Sequence, residues 1–353
     1  LDVRELVSRA STMVTACRQE TALVENPGVA LGVLLGVAAR AGRDKLTLVL
    51  PPSLAALGWW IEQLVAESIG KRGLGVIPVV DEPVGPPVVY GPDRLFVCVR
   101  DRGGDGPDLD PPVAALAEAG HPVVCLTLVE RLDVAAEFFR WEVATAVCGA
   151  VLGVNPFDQP DVEASKVETR SLMATYEERG ALPDDVVLAS ENGVSVVASQ
   201  EARVDAPETS TVRGLLASHF SQLREGGYFA LLLYLERGPA ARGAAERIRT
   251  RVRDTRLVAT CAGFGPRFLH SSGQLYKGGP PSGLFLQVTV DEAEDVPVPG
   301  RPYSFGVIKA AQARGDARVL AERGRRVLRL HLSGEVSAGL ARLERMVAEA
   351  LGD

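Results

Sequence analysis

Apolar residues recur every three to four positions over 2–19, and Asn26-Pro27 opens a second run with the same spacing that continues to Ala41. That spacing draws one apolar face along a helix, and Pro at the first helical position behind Asn marks a helix start. The period then changes. Residues 45–50 (KLTLVL) form a short apolar run typical of a strand covered on both faces, and Pro51-Pro52 stops it ahead of a helical stretch over 55–69. Strands are predicted at 75–80, 95–99 and 122–128, a helix at 113–118, and two long helices at 134–152 and 161–179. Strands separated by helices imply an α/β domain with a doubly wound, mainly parallel sheet, a class that binds ligands at the carboxyl ends of its strands.

Turn residues take over at 180–185 (GALPDD), which predicts a linker between a first domain over 1–179 and a second over 186–353. The second opens on a hairpin, 186–190 with 194–198, around Asn192-Gly193, a pair suited to positive φ at the turn. Helices at 211–224, 240–252 and 305–314 alternate with strands at 228–235, 257–261, 284–290 and 327–332, and a last helix runs to Leu351. A hairpin joined to alternating segments predicts a second α/β domain with a mixed sheet.

Composition narrows the function classes. Lys and Arg number 38 against 45 Asp and Glu, a net charge of −7, which excludes a basic protein that coats nucleic acid. The longest uncharged apolar stretches, 27–39 and 143–154, fall short of the ~20 residues of a membrane span, so no membrane partner is expected. Cys17, Cys98, Cys125, Cys148 and Cys261 are scattered, form no CxxC pair and sit mostly in apolar runs, which reads as reduced core thiols of a cytoplasmic protein. His121, His219, His270 and His331 lack metal-ligand spacing, and neither a metal nor another cofactor is expected. The chain opens on Leu with no signal-peptide pattern and reads as a piece of something longer.

Three segments hold polar residues in patterns suited to chemistry. In WIEQLVAESIGK (60–71), Gln63 and Glu67 are four residues apart and share one helix face, with Glu67 in the last turn, where the helix dipole opposes its ionisation. Pattern alone fits a solvated surface pair as well as an amide beside a general base. In FFRWEVATAVCGAVLGVNPFDQPDVEASK (138–166), Glu163 and Lys166 open a helix as an i,i+3 pair, and Arg140, Asp158 and Gln159 fit roles in packing and helix entry. In GFGPRFLHSSGQLYKGGPPSG (263–283), six glycines in 21 residues surround His270, with Arg267, Ser271, Ser272, Gln274 and Lys277 close by. Such a loop lets backbone N–H groups approach a ligand and Lys277 adds a charge suited to phosphate, although a Gly-rich loop with one His is more often a plain structured turn.

AESIGK with a Gln four residues before its Glu, together with NPFDQPDVEASK, resembles the second sugar-isomerase (SIS) domain of the phosphoglucose isomerases. The Gly-rich segment resembles the carboxy-terminal domain of bacterial bifunctional transaldolase/phosphoglucose isomerase fusions. ENPGVALGVLLGVAARAGRDKLTLVLPP, EFFRWEVATAVCGAVLG and VYGPDRLFV extend that likeness over about 25–290. It implies an SIS-type (flavodoxin-like) domain followed by the fusion type's carboxy-terminal α/β domain. It also implies the aldose–ketose isomerisation of glucose 6-phosphate and fructose 6-phosphate through a cis-enediol, a step of glycolysis, gluconeogenesis and the pentose phosphate pathway.

Glu67 matches the family's proton-transferring carboxylate, Gln63 the amide that contacts substrate, and Lys166 the lysine near the ring oxygen. Where classical members have a His in a GQHAF-like stretch, this chain reads GPDRLF, so Arg94 is expected at the substrate but cannot act as a neutral base. Ring opening then falls to His270 or to Lys166, and Lys277 is expected at the phosphate. The partners implied are a hexose phosphate, a transaldolase domain and first SIS domain ahead of this chain, and a second copy in a homo-oligomer. The rival reading is a non-catalytic sugar-phosphate-binding or oligomerisation module with the same fold.

Overall fold

A computed structural model describes residues 2–102, 109–199, 210–292 and 294–352. The chain divides into two compact units, Leu1–Gln159 with Ser271–Pro280, and Pro160–His270 with Pro281–Asp353.

The first unit runs α1 (Val3–Ala16), α2 (Pro27–Arg40), β1 (Lys45–Val49), α3 (Ala55–Ile69), β2 (Ile77–Val79), β3 (Arg94–Asp101), α4 (Asp110–Glu118), β4 (Val123–Leu128) and α5 (Val134–Leu152). Asn26 caps α2 by accepting from the Val29 N–H at 3.0 Å, with Pro27 at the first helical position. The four strands form one parallel sheet in the order β2-β1-β3-β4. Alternation along β3 divides its two faces: Leu95, Val97 and Val99 join a core with α2, α3 and α5, while Phe96 and Cys98 meet Val113 and Leu116 of α4 on the other side. Helices therefore cover both faces, the doubly wound arrangement. Gly28, Gly32 and Gly36 lie on one stripe of α2 where an added Cβ would run into Val143, Val147 and Val151 of α5, so small residues set how closely these helices pack.

The second unit runs α6 (Val162–Arg179), β5 (Asp185–Glu191), β6 (Val194–Ser199), α7 (Val212–Phe220), β7 (Tyr228–Tyr234), α8 (Pro239–Arg256) and β8 (Ala259–Phe264). After α9 (Gly273–Gly278), which belongs to the first unit, come β9 (Gly283–Val290), α10 (Phe305–Glu322), β10 (Arg326–Leu332) and α11 (Val336–Leu351). The sheet is mixed, in the order β5-β6-β10-β9-β7-β8. The hairpin β5–β6 and the pair β6–β10 are antiparallel, and the rest are parallel. Asn192 and Gly193 take φ of 51° and 76°, as the hairpin turn requires. One sheet face packs on α7, α8 and α11 through an apolar core. The face toward α10 carries polar residues, with Gln287 of β9 donating to the Ala313 carbonyl at 2.9 Å and Arg329 of β10 donating to Gln287 at 3.2 Å.

Three expectations are corrected. The units part at Pro160 rather than at 180–185, because α6 packs on α10 within the second unit. Helix α10 runs to Glu322 rather than stopping at 314, since Gly315 lies against Thr169 of α6, whose Oγ1 would be 3.2 Å from an added Cβ. The Gly-rich stretch contains a buried helical turn, α9, which packing stabilises where propensity does not. Cys98, Cys148 and Cys261 are buried while Cys125 is exposed, and none of the five forms a disulfide. Among the described residues no helix is long and apolar enough to cross a membrane.

Candidate active site

Helix α3 leaves the carboxyl end of β1 and returns to the amino end of β2, so its last turn lies at the amino edge of the parallel sheet. There Leu57, Ile61, Val65 and Ile69 face the core, and the opposite face turns Gln63 and Glu67 outward. The Gln63 Nε2 donates to Glu67 Oε2 at 3.3 Å. Partial burial raises the Glu67 carboxyl above its ordinary value, and the Gln63 bond opposes that shift. The expected direction holds, with burial its largest cause. The pair stands at the edge opposite the carboxyl ends where the fold class places its ligands.

Two further segments meet the end of α3. Lys71, almost fully buried, donates to the Asn155 carbonyl at 2.5 Å and to Asp158 Oδ1 at 2.8 Å. Asn155 lies just past the end of α5, so Lys71 sits near the carboxy-terminal ends of α3 and α5, where helix dipoles favour a cation. Lys71 holds Asp158 below the usual carboxylate range. Asn155 Nδ2 donates to Asp158 Oδ2 at 3.1 Å, which fixes the Asn-Pro turn.

The other segment is 271–280. Gln274, fully buried, donates to the Gly70 carbonyl at 3.0 Å, Gly73 N–H donates to the Gly278 carbonyl at 2.8 Å, and Ser271 Oγ donates to Glu62 Oε1 at 3.2 Å. Gly70 has φ −80°, so no left-handed backbone demands glycine there. A Cβ at Gly70 would lie 2.5 Å from Leu275 Cα, and it is this close approach that excludes a side chain.

The structure thus brings Gln63 and Glu67 together and ties the end of their helix to the Asn-Pro turn and to part of the Gly-rich segment. Arg94 is fully buried, with its guanidinium 2.9 and 3.3 Å from the Glu82 carboxylate, 2.8 Å from Thr47 Oγ1 and 5.1 Å from the centre of the Tyr90 ring. An arginine so enclosed is engaged by Glu82 and Thr47, and this geometry lends no support to the expected contact of Arg94 with substrate. Lys277 is buried, and its ammonium donates to the Gly273 carbonyl at 3.3 Å, inside its own turn.

Lys166 and His270 belong to the second unit. Lys166 is half exposed, 3.7 Å from Glu163, and Glu163 is closer to Arg170, at 2.7 Å. His270 is exposed at the end of the short turn Arg267–His270. Sequence reasoning missed Lys71, Asn155 and Glu62, and treated Asp158 as a helix-entry residue. A signal for Lys71 was present, because a lysine directly after a helix-ending glycine has helix carbonyls within reach. Among the described residues, no group of three or more His, Cys, Asp and Glu is placed to hold a metal ion.

No family model matches the chain. It is 30% identical over 213 residues to a glucose-6-phosphate isomerase of Rubrobacter xylanophilus, covering 49% of this chain and 48% of that protein. It is 27% identical over 211 residues to a glucose-6-phosphate isomerase of Symbiobacterium thermophilum, covering 49% of this chain and 46% of that one. The chain therefore spans about half the length of these curated relatives. A solved glucose-6-phosphate isomerase from Chlamydia trachomatis superimposes with a TM-score of 0.32 at 12% identity, covering 97% of this chain and 72% of that one, and at that score it adds nothing to the site.

Proposed function

We propose that this chain is the part of a glucose-6-phosphate isomerase that carries the proton-transferring carboxylate, Glu67. The observation that supports it is the Gln63–Glu67 pair, in which the amide holds Oε2 at 3.3 Å and partial burial raises the carboxyl toward the range of a useful base. The names of the relatives agree with this chemistry. With Oε2 held by the amide, Oε1 is left to take the proton from C2 of the opened sugar and return it to C1. The C2 hydroxyl gives up its proton and the C1 oxygen gains one, so that the C1 carbonyl becomes a hydroxyl and the C2 hydroxyl a carbonyl through a cis-enediol, with no net change in protons or electrons. Ring opening we assign to Lys166 or His270, since Arg94 is committed to Glu82.

The finer reading is a second SIS domain with the carboxy-terminal domain of a cytoplasmic transaldolase/isomerase fusion that works as a homo-oligomer. Phosphate contacts supplied by a first SIS domain would position the sugar, so the 353-residue chain alone is expected to bind hexose 6-phosphate weakly and to turn none over. A coupled assay on the intact protein tests the central assignment. Glu67→Gln should lower kcat by about a hundredfold or more while the fold survives. Activity within about threefold of the parent would remove Glu67 from the mechanism, and robust turnover by the chain alone would show that its own loops complete a site.

A further inference from the structure

The second unit contains a cavity of about 480 Å³, within the range of small-molecule sites. It opens between α6, α10, the β5–β6 hairpin and the start of β10, and no step proposed for Glu67 uses it. Its walls are of two kinds. Leu172, Leu188, Val197 and Leu328 give it an apolar side, and among the described residues five arginines and three carboxylates line the rest.

The carboxylates are already engaged, with one exception. Glu168 is 2.9 Å from Arg318, and Asp185 is 3.2 Å from Arg314 and 2.8 Å from Arg329, while the exposed Asp184 has no such contact among the described residues. Arg326 is different: its guanidinium donates to the backbone carbonyls of Gln222, Ser282 and Gly283, the last two at 3.1 and 3.2 Å, and among the described residues no carboxylate pairs with it. Carbonyl dipoles orient that charge without cancelling it. Nearby Arg325 is half-buried, and the loss of solvent around it pushes its pKa down. A cation entering this cavity meets carboxylates that arginines already hold. An anion meets an oriented guanidinium that no described carboxylate pairs, in surroundings of lower dielectric than water.

We propose that this cavity binds a small organic anion, with a phosphate or carboxylate head at Arg326 and an apolar body against Leu172, Leu188 and Leu328. A sugar would leave its hydroxyls facing those apolar walls, so the site selects a different chemistry from that of the isomerase substrate. Isothermal titration of the 353-residue chain with phenyl phosphate and with benzoate tests it, with inorganic phosphate and benzyl alcohol as controls that lack the body and the charge. Saturable one-to-one binding of either aryl anion, at least about tenfold tighter than both controls, is expected, and the tighter of the two assigns the head group.

Arg326→Gln should weaken that binding by about tenfold or more, and so should Ala321→Trp, which sets an indole at the exposed rim of the cavity and leaves every arginine in place. If Arg326→Gln fails to fold, Ala321→Trp decides. Absence of saturable binding below about 10 mM, a control that binds as tightly, or a natively folded variant that binds within about threefold of the parent overturns the proposal. None of these outcomes depends on isomerase turnover, so this proposal and the assignment of Glu67 fail separately.

Discussion

A carboxyl that burial raises and a neighbouring amide lowers is pulled in two directions, and Glu67 settles above its ordinary 4.5 because burial is the larger effect. For Glu67 as the proposed base, which must be ionised to act, the acid limb of kcat/KM of the intact protein should lie above the ordinary glutamate range and vanish in Glu67→Gln together with the activity. Stability should move the opposite way. A carboxyl raised in the folded protein favours the protonated form, so its ionisation destabilises the fold as pH rises from the ordinary value through the raised one. Glu67→Gln should therefore melt at or above the parent temperature at pH 7 and show no gain at pH 4. A variant that melts lower at pH 7 would mark Glu67 as a packing residue instead. Gln63 and Glu67 were legible in the sequence because they are neighbours along one helix. The Lys71–Asp158 contact was not, since its partners stand 87 residues apart and nothing local signals that they meet.

At the scale of elements, periodicity is enough to place α3, whose bounds agree with the predicted 55–69, and to read β1 as a buried strand. It fails where packing overrules propensity. The six buried residues of α9 have glycine at both ends and become helical only against the end of α3. Arg94 is the sharper case. Its position in GPDRLF suggests a ligand contact, but β3 turns its side chain into the sheet, where Glu82 is also almost fully buried. Taking one partner from a buried ion pair leaves the other charge uncompensated, at a cost of about 3–5 kcal/mol. Arg94→Leu should lose stability of that order in urea unfolding, while Arg94→Leu with Glu82→Leu should recover part of it. A cost below about 1 kcal/mol for the single variant would place Arg94 nearer solvent than the structure has it.

For the whole molecule, the two units should respond differently to mild acid. His219 in the second unit is buried, its Nε2 donating to the Phe285 carbonyl at 3.0 Å, and burial pushes its pKa from 6.5 down to about 4. The unfolded chain therefore binds the extra proton first, so the stability tied to neutral His219 is present above pH 6.5 and is lost as pH falls toward 4. That loss amounts to about 3 kcal/mol. In the first unit, burial raises the carboxyls of Asp44, Glu67 and Glu137, which contribute stability in the opposite direction as pH falls. All three tryptophans, Trp59, Trp60 and Trp141, lie in the first unit, so their fluorescence reports on it alone while far-ultraviolet circular dichroism reports on both. In a fixed, moderate urea concentration, lowering pH from 7 to 4.5 should diminish the dichroism before the tryptophan emission shifts. His219→Gln keeps a donor for the Phe285 carbonyl but cannot take up a proton, so its stability should be nearly flat across that window. A variant whose stability falls as steeply as the parent's would show that acid acts on this unit through groups other than His219.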